Sequence, residues 1–216
     1  MIRESRPEPA LNSSLGLNAL CQRLQGVATC NILDLGPGRG GNIQFWSRFS
    51  PFIYIADLRS SLPLPVLPED PELRELQKPE WDRILTLPED GRFDVILAWD
   101  MLNYIELSAI SSLTRYLSRF CRPEAIFFAR IFDQKQMPEE IAVYRIADEG
   151  HIDYEYGRRE MRECPRHQPR ALAEAMHPFM TSNAFRLRNG MVEYLFIYAG
   201  DETSDALGAH TDLRAR

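Results

Sequence analysis

The stretch NILDLGPGRGGN, residues 31–42, decides the fold. Its first half is a short apolar run that stops at Gly36, the pattern of a buried strand. Its second half sets Gly36, Gly38, Gly40 and Gly41 just ahead of GNIQFWSRF (41–49), which carries helical periodicity. A strand that becomes a helix through glycines brings bare backbone and a helix N-terminus to one spot. With no Cβ in the way, a ligand can approach the chain closely there. No Gly-Lys-Ser/Thr follows, so a phosphate-gripping P-loop is excluded.

Working outward, LNSSLGLNALCQRLQG (11–26) and ELSAISSLTRYLSRFC (106–121) have apolar residues at helical spacing and predict helices. FIYIADL (52–58), FDVILAW (93–99) and EAIFFARIF (124–132) predict buried strands. Residues 60–80 are proline-rich, with a third strand expected near 73–87. The alternation of strand and helix predicts a parallel sheet with right-handed crossovers. Toward the C-terminus, FRLR and MVEYLFIY flank Asn189-Gly190, which predicts a hairpin closed by a type I′ turn. AVYRI and HIDYEY, on either side of Gly150, predict a second hairpin inside 134–170. The expected layout is a lead and helix over 1–27, one domain over 28–200, and a disordered tail over 201–216.

The 216 residues suit one domain, and 44% hydrophobic residues can fill its core. A formal net charge of -6 argues against a broad electrostatic grip on nucleic acid or an anionic membrane. No apolar run approaches the roughly 20 residues needed to span a bilayer. MIRESRPEPA (1–10) has no apolar stretch of the secretory kind. Cys21, Cys30, Cys121 and Cys164 are scattered, with no CxxC pair, and read as reduced thiols of a cytoplasmic protein without a metal site.

Two ligand templates fit the glycines. Gly36-x-Gly38-x-x-Gly41 matches a dinucleotide fingerprint. Asp34-x-Gly36-x-Gly38-x-Gly40 matches the first motif of the class I S-adenosylmethionine-dependent methyltransferases. Asp34 separates the two: a carboxylate is repelled by a pyrophosphate but suits a ligand carrying an ammonium and a sulfonium. Asp57 ends the next strand, where a carboxylate can accept both hydroxyls of a ribose of either cofactor.

ILDLGPGRGGN, IYIADL and FDVILAWDMLNYIE, in that order, together with the terminal hairpin, resemble a class I methyltransferase over roughly 28–133 and 170–198. The resemblance implies a Rossmann-like three-layer α/β/α sandwich. Its seven-stranded mixed sheet has the order 3-2-1-4-5-7-6, with strand 7 antiparallel and a small insertion after strand 5. It implies S-adenosyl-L-methionine as cofactor, with Asp34, Gly36, Gly38 and Gly40 around its methionine part. Asp57 falls on the ribose, Leu58 on the adenine, Asp82 near the adenine amino group, and Ala98 and Trp99 beside the methionine or the transferring methyl. Asp100 and Tyr104 are the candidates for contact with the methyl acceptor. It also implies that residues 134–170 can cover the substrate, with Tyr144, Arg145, His151, Tyr154 and Tyr156 lining such a lid.

Each of these residues has a plainer reading. Asp34 can cap its turn, Asp57 a strand end and Asn103 a helix, and Asp82 can be an ordinary loop carboxylate. Trp46 reads as core. His151 and His167 read as surface residues, and the cluster Arg158, Arg159, Arg162, Arg166 and Arg170 as a solvated face. The expected activity is methyl transfer to a small molecule or a protein acceptor. A non-catalytic methyltransferase-like partner subunit is the alternative. A nicotinamide-dependent oxidoreductase ranks last: Lys78 and Lys135 are the only lysines, and neither follows a Tyr-x-x-x spacing.

Overall fold

The computed structural model describes residues 12–27, 29–64, 72, 80–157 and 160–200. Its main sheet has six strands: β2 (Asn31–Asp34), β3 (Phe52–Ile55), β4 (Phe93–Trp99), β5 (Cys121–Phe132), β10 (Phe179–Arg186) and β11 (Met191–Tyr198). The strand order is β10-β11-β5-β4-β2-β3. Strands β3, β2, β4 and β5 are mutually parallel, and β11 is antiparallel to both β5 and β10. The architecture is a Rossmann-like α/β fold. The central strand β4 is buried along nearly its whole length, as a strand covered on both faces must be.

The helices follow from local sequence. In α1 (Leu15–Leu24), Ser14 caps the first turn by accepting the Leu17 N–H, and Leu17, Leu20, Cys21 and Leu24 make one buried stripe. Helix α2 (Gly40–Trp46) starts on the glycines and buries Asn42, Phe45 and Trp46. A short α3 (Trp81–Ile84) precedes β4, α4 (Leu107–Ser118) joins β4 to β5, and α5 (Pro169–Met176) begins with the proline favoured in a first turn. The Thr114 hydroxyl donates toward the carbonyls of Ala175 and His177, pinning α4 to α5.

Between β5 and α5 the chain leaves the main sheet. Short strands β6 (Gln136–Pro138) and β9 (Met161–Glu163) pair with each other. β7 (Val143–Asp148) and β8 (His151–Glu155) form an antiparallel hairpin, and β1 (Asn12–Ser13) adds to its β8 edge. All four cysteines are free and buried. Among the described residues no helix is long and apolar enough to cross a membrane.

Two expectations change. The third strand placed near 73–87 is not there at its described end: Trp81–Ile84 is a helical turn, and 73–79 lie outside the described residues. The tail at 201–216 also lies outside them. The terminal hairpin does not close with a type I′ turn, because Gly190 (φ 77°) takes the left-handed region and Asn189 does not. The Gly190 N–H donates to Leu187 and the Leu187 N–H to Met191, giving a three-residue loop with glycine at its end. The pairing Arg186–Val192 leaves too many residues for a two-residue turn.

Candidate functional site

The parallel strands deliver their C-terminal ends to one mouth, where ligands of open α/β sheets bind. Asp34 ends β2 there, 4% exposed. Its Oδ1 accepts the Gly36 N–H at 2.9 Å and the indole Nε1–H of Trp99 at 2.7 Å. Burial pushes Asp34 up to about 6, against the pull of those two donors, and the nearby Asp57 carboxylate adds to the rise. Gly36 is buried under Trp99. A Cβ there would stand 3.0 Å from the indole Cδ1 and Nε1 and 3.1 Å from Asp34 Oδ1, so any other residue would push on the Trp99–Asp34 bond. At exposed Gly38 a Cβ would meet only the Ile55 side chain, its Cδ1 at 3.1 Å, and Gly40 is open.

Trp99 reaches Asp34 through an irregular backbone. The β4–β5 register slips between Leu97 and Trp99, and Trp99 takes φ 51°. A bulky residue in that region is strained by about 1–3 kcal/mol, which its surroundings must hold in place. They do: Trp99 stacks on Tyr144 with centroids 4.9 Å apart and planes 9° from parallel. Tyr144 comes from β7, so the hairpin lies across the mouth. Asn42, two residues into α2, fastens it: its amide donates to Tyr144 O at 3.0 Å and accepts from the Ile146 N–H at 2.9 Å. The cavity left beside Gly36, Trp99 and Tyr144 is about 10 Å³, room for one water. A second cavity, of about 230 Å³, is also lined by Tyr144.

Asp57 stands exposed at the end of β3, and its Oδ1 accepts the Arg59 N–H at 3.1 Å. Leu58 is fully buried in the core, so it presents no free face at the mouth; Arg59 lines the small cavity instead. Ala98 is buried in β4. Asp82 is not brought to this mouth: it sits on α3, exposed, beside the Tyr116 hydroxyl.

Asp100 is fully buried. Its Oδ2 accepts the Ala142 N–H at 3.3 Å and its Oδ1 makes no hydrogen bond. Burial raises it to about 6, opposed by the Ala142 N–H and by Arg130. Tyr104 has a different job from the one expected of it. Its hydroxyl is directed at the carbonyls of Pro138 (3.0 Å) and Glu140 (2.9 Å), tying down the segment before the hairpin. Burial, then Asp100, hold it above its usual range, so the phenol stays protonated. Asn103 bridges strands: its amide donates to Asp100 O and Arg130 O and accepts from the Phe132 N–H.

Among the proposed lid residues, Tyr144 and Tyr154 face the mouth, whereas His151 pairs with Asp148 at the hairpin turn. His167 is half-buried against the Leu102 carbonyl, and burial lowers its pKa. Arg158 and Arg159 lie outside the described residues. Three residues went unmarked in the sequence: Asn42, Arg130 and Glu193. Arg130 and Glu193 each interrupt an apolar strand, and they are opposite one another in the β5–β11 register. That matched pair of charges was the available signal. The Arg130 Nε donates to Glu193 Oε1 at 3.1 Å, both side chains having no exposure.

No protein-family model matches the chain, and no curated protein matches it. Solved structures share its fold. An S-adenosylmethionine-dependent methyltransferase from Mesorhizobium loti is 16% identical, with 83% of this chain and 95% of that one covered and a TM-score of 0.50. One from Clostridium acetobutylicum is 11% identical over 86% and 90%, with a TM-score of 0.50. A protein solved in connection with conversion of a disulfide bond into a thioacetal group during echinomycin biosynthesis is 12% identical over 91% and 87%, with a TM-score of 0.51.

Proposed function

We propose that the chain is an S-adenosylmethionine-dependent methyltransferase acting on a small molecule or a protein acceptor. The observation that carries this reading is the pair Asp34 and Asp57, on neighbouring parallel strand ends with the glycine turn between them. The donor set suits the cofactor: a buried carboxylate for an ammonium, an exposed one for a ribose diol, and bare glycine backbone between. When bound, S-adenosylmethionine supplies a methyl group already activated on a sulfonium. Asp34 and Gly36 would hold its amino-acid end and Asp57 its ribose. Trp99 and Tyr144 would keep water out, and Oδ1 of Asp100 is free to take a proton. Leu58 and Asp82 drop out of the proposed site because of where they lie. The free cysteines fit a cytoplasmic protein, and the net charge of -6 counts against nucleic acid as acceptor.

The Trp99–Tyr144 stack supports a second reading, a methyltransferase-like partner that does not turn over. The stack leaves only about 10 Å³ beside Gly36. Thermal unfolding in S-adenosylmethionine, S-adenosylhomocysteine, NAD or buffer separates the readings. A native-state ligand at a hundredfold excess over Kd stabilises by roughly 2.7 kcal/mol. The methyltransferase reading expects a shift with both adenosyl ligands and none with NAD. No shift with either adenosyl ligand would favour the inert partner, and a shift with NAD alone would overturn the assignment of Asp34.

A further inference from the structure

Unsatisfied buried polar atoms are few in native proteins, and each needs a reason. Among the described residues, four of the six such side-chain atoms fall in one cluster: Nη1 and Nη2 of Arg130, Oδ1 of Asp100 and the hydroxyl of Tyr144. The cluster is not a loose corner. Arg130 has no exposure, and its guanidinium lies 5.0 Å from the Tyr144 ring centroid and 5.5 Å from that of Tyr154. Burial works against the Arg130 cation, but Tyr144, Glu193 and Asp100 outweigh it and hold the proton more firmly than usual. The Tyr144 hydroxyl lies close enough to favour the charged forms of both Arg130 and Asp100, yet Nη1 and Nη2 of Arg130 and Oδ1 of Asp100 have no well-formed hydrogen bond.

Glu193 cannot turn to fill them. Its Oε1 accepts from the Ser14 hydroxyl (2.8 Å) and Arg130 Nε, and its Oε2 from the Gly16 N–H (2.8 Å). It holds the guanidinium through Nε and leaves Nη1 and Nη2 unpaired beside the Tyr144 and Tyr154 rings. Two parallel N–H groups on a planar cation match a carboxylate. Charge decides what else the ligand carries. Glu193 already balances Arg130, and Asp100 adds a further negative charge, so a simple anion would meet repulsion. A ligand with a carboxylate for Arg130 and an ammonium for Oδ1 of Asp100 fills both vacancies and leaves the net charge unchanged.

Tyr144 and Tyr154, which screen Arg130, also line the cavity of about 230 Å³, with Arg39, Arg145 and Asp153 on its other walls. Tyr144 is common to that cavity, to the cluster and to the space beside Trp99 and Gly36. We propose that Arg130 and Asp100 form the acceptor site, and that the acceptor is a zwitterionic free amino acid whose side chain occupies the cavity between α2 and the β7–β8 hairpin. This rests on the methyltransferase reading.

The test is calorimetric titration of the full chain, saturated with S-adenosylhomocysteine, with each of the twenty proteinogenic amino acids. Any amino acid that binds is repeated as its N-acetyl derivative and as the amine lacking the carboxylate. The expected result is saturable binding of at least one free amino acid, weakened tenfold or more in both derivatives. Arg130→Lys keeps a cation opposite Glu193 and should erase the preference over the decarboxylated amine. Asp100→Asn should erase the preference over the N-acetyl derivative. Circular dichroism melts confirm that each variant folds. Binding of S-adenosylhomocysteine with no response to any amino acid, or a preference that survives both substitutions, overturns the inference and leaves the methyltransferase reading standing. Failure of S-adenosylhomocysteine itself to bind removes the earlier reading instead.

Discussion

The indole N–H of Trp99 donates to Asp34 Oδ1 at 2.7 Å, across 65 residues of sequence. The carboxylate that ends β2 at the glycine turn is thus already satisfied by the chain itself. Under the proposed function, cofactor entry would exchange one donor for another on Asp34.

Asn42 is the fastening between the glycine helix and the hairpin. Asn42→Ala removes its bonds to Tyr144 O and the Ile146 N–H and leaves both backbone groups buried without that partner. The expected loss is about 1–3 kcal/mol. Amides of 143–155 should exchange faster with deuterium, while those of β4 and β5 keep their order of protection. Uniform acceleration across the whole sheet would show that Asn42 holds the core rather than the hairpin.

Asp34 and Asp100 both sit near 6 in the folded chain, above the roughly 3.9 of an unfolded aspartate. Between those values the folded state binds more protons than the unfolded one. Stability therefore falls as pH rises from about 4 to about 6 and is flat for these groups above that. Each contributes at most ~3 kcal/mol. Urea denaturation at pH 5 and pH 7 should show Asp34→Asn losing less stability over this interval than the parent chain. Equal losses would mean that Asp34 does not titrate there.

The Arg130–Glu193 pair has no exposure. Glu193→Leu alone strands the guanidinium and should cost about 3–5 kcal/mol. Arg130→Met with Glu193→Leu removes both charges and should cost clearly less, with a remainder from the Ser14 hydroxyl and Gly16 N–H that lose their acceptor. A double variant as unstable as the sum of the two singles would remove the case for coupling.

Asp57 is exposed, and its side chain caps the turn by accepting the Arg59 N–H. Asp57→Ala should lower stability by no more than about 1 kcal/mol. Affinity for S-adenosylhomocysteine, read by titration calorimetry, should drop at least tenfold. Unchanged affinity would return Asp57 to being a turn cap and nothing else.

The sequence alone determined the alternation of strands and helices, the turn at Gly36 and the seats of Asp34 and Asp57 at strand ends. Each is encoded within a dozen neighbouring residues, in periodicity and in glycine's freedom. The prolines of 60–80 break such a pattern, and the third strand expected there does not form over Trp81–Ile84. Asn189-Gly190 marked a turn, but its type followed from where β10 and β11 stop pairing. The site depended on tertiary structure throughout. Leu58 is expected against an adenine, yet it is fully buried within the chain's own core. Tyr104 reads like a catalytic hydroxyl, yet Pro138 and Glu140 take it. Trp99 meets Asp34, Tyr144 meets Trp99 and Arg130 meets Glu193 only because the strand order makes β2, β4, β5 and β11 successive neighbours and the inserted hairpin folds back over their ends. Contacts between residues so distant in sequence leave no periodic trace, so the chain's pattern could announce the mouth of the sheet but not what closes it.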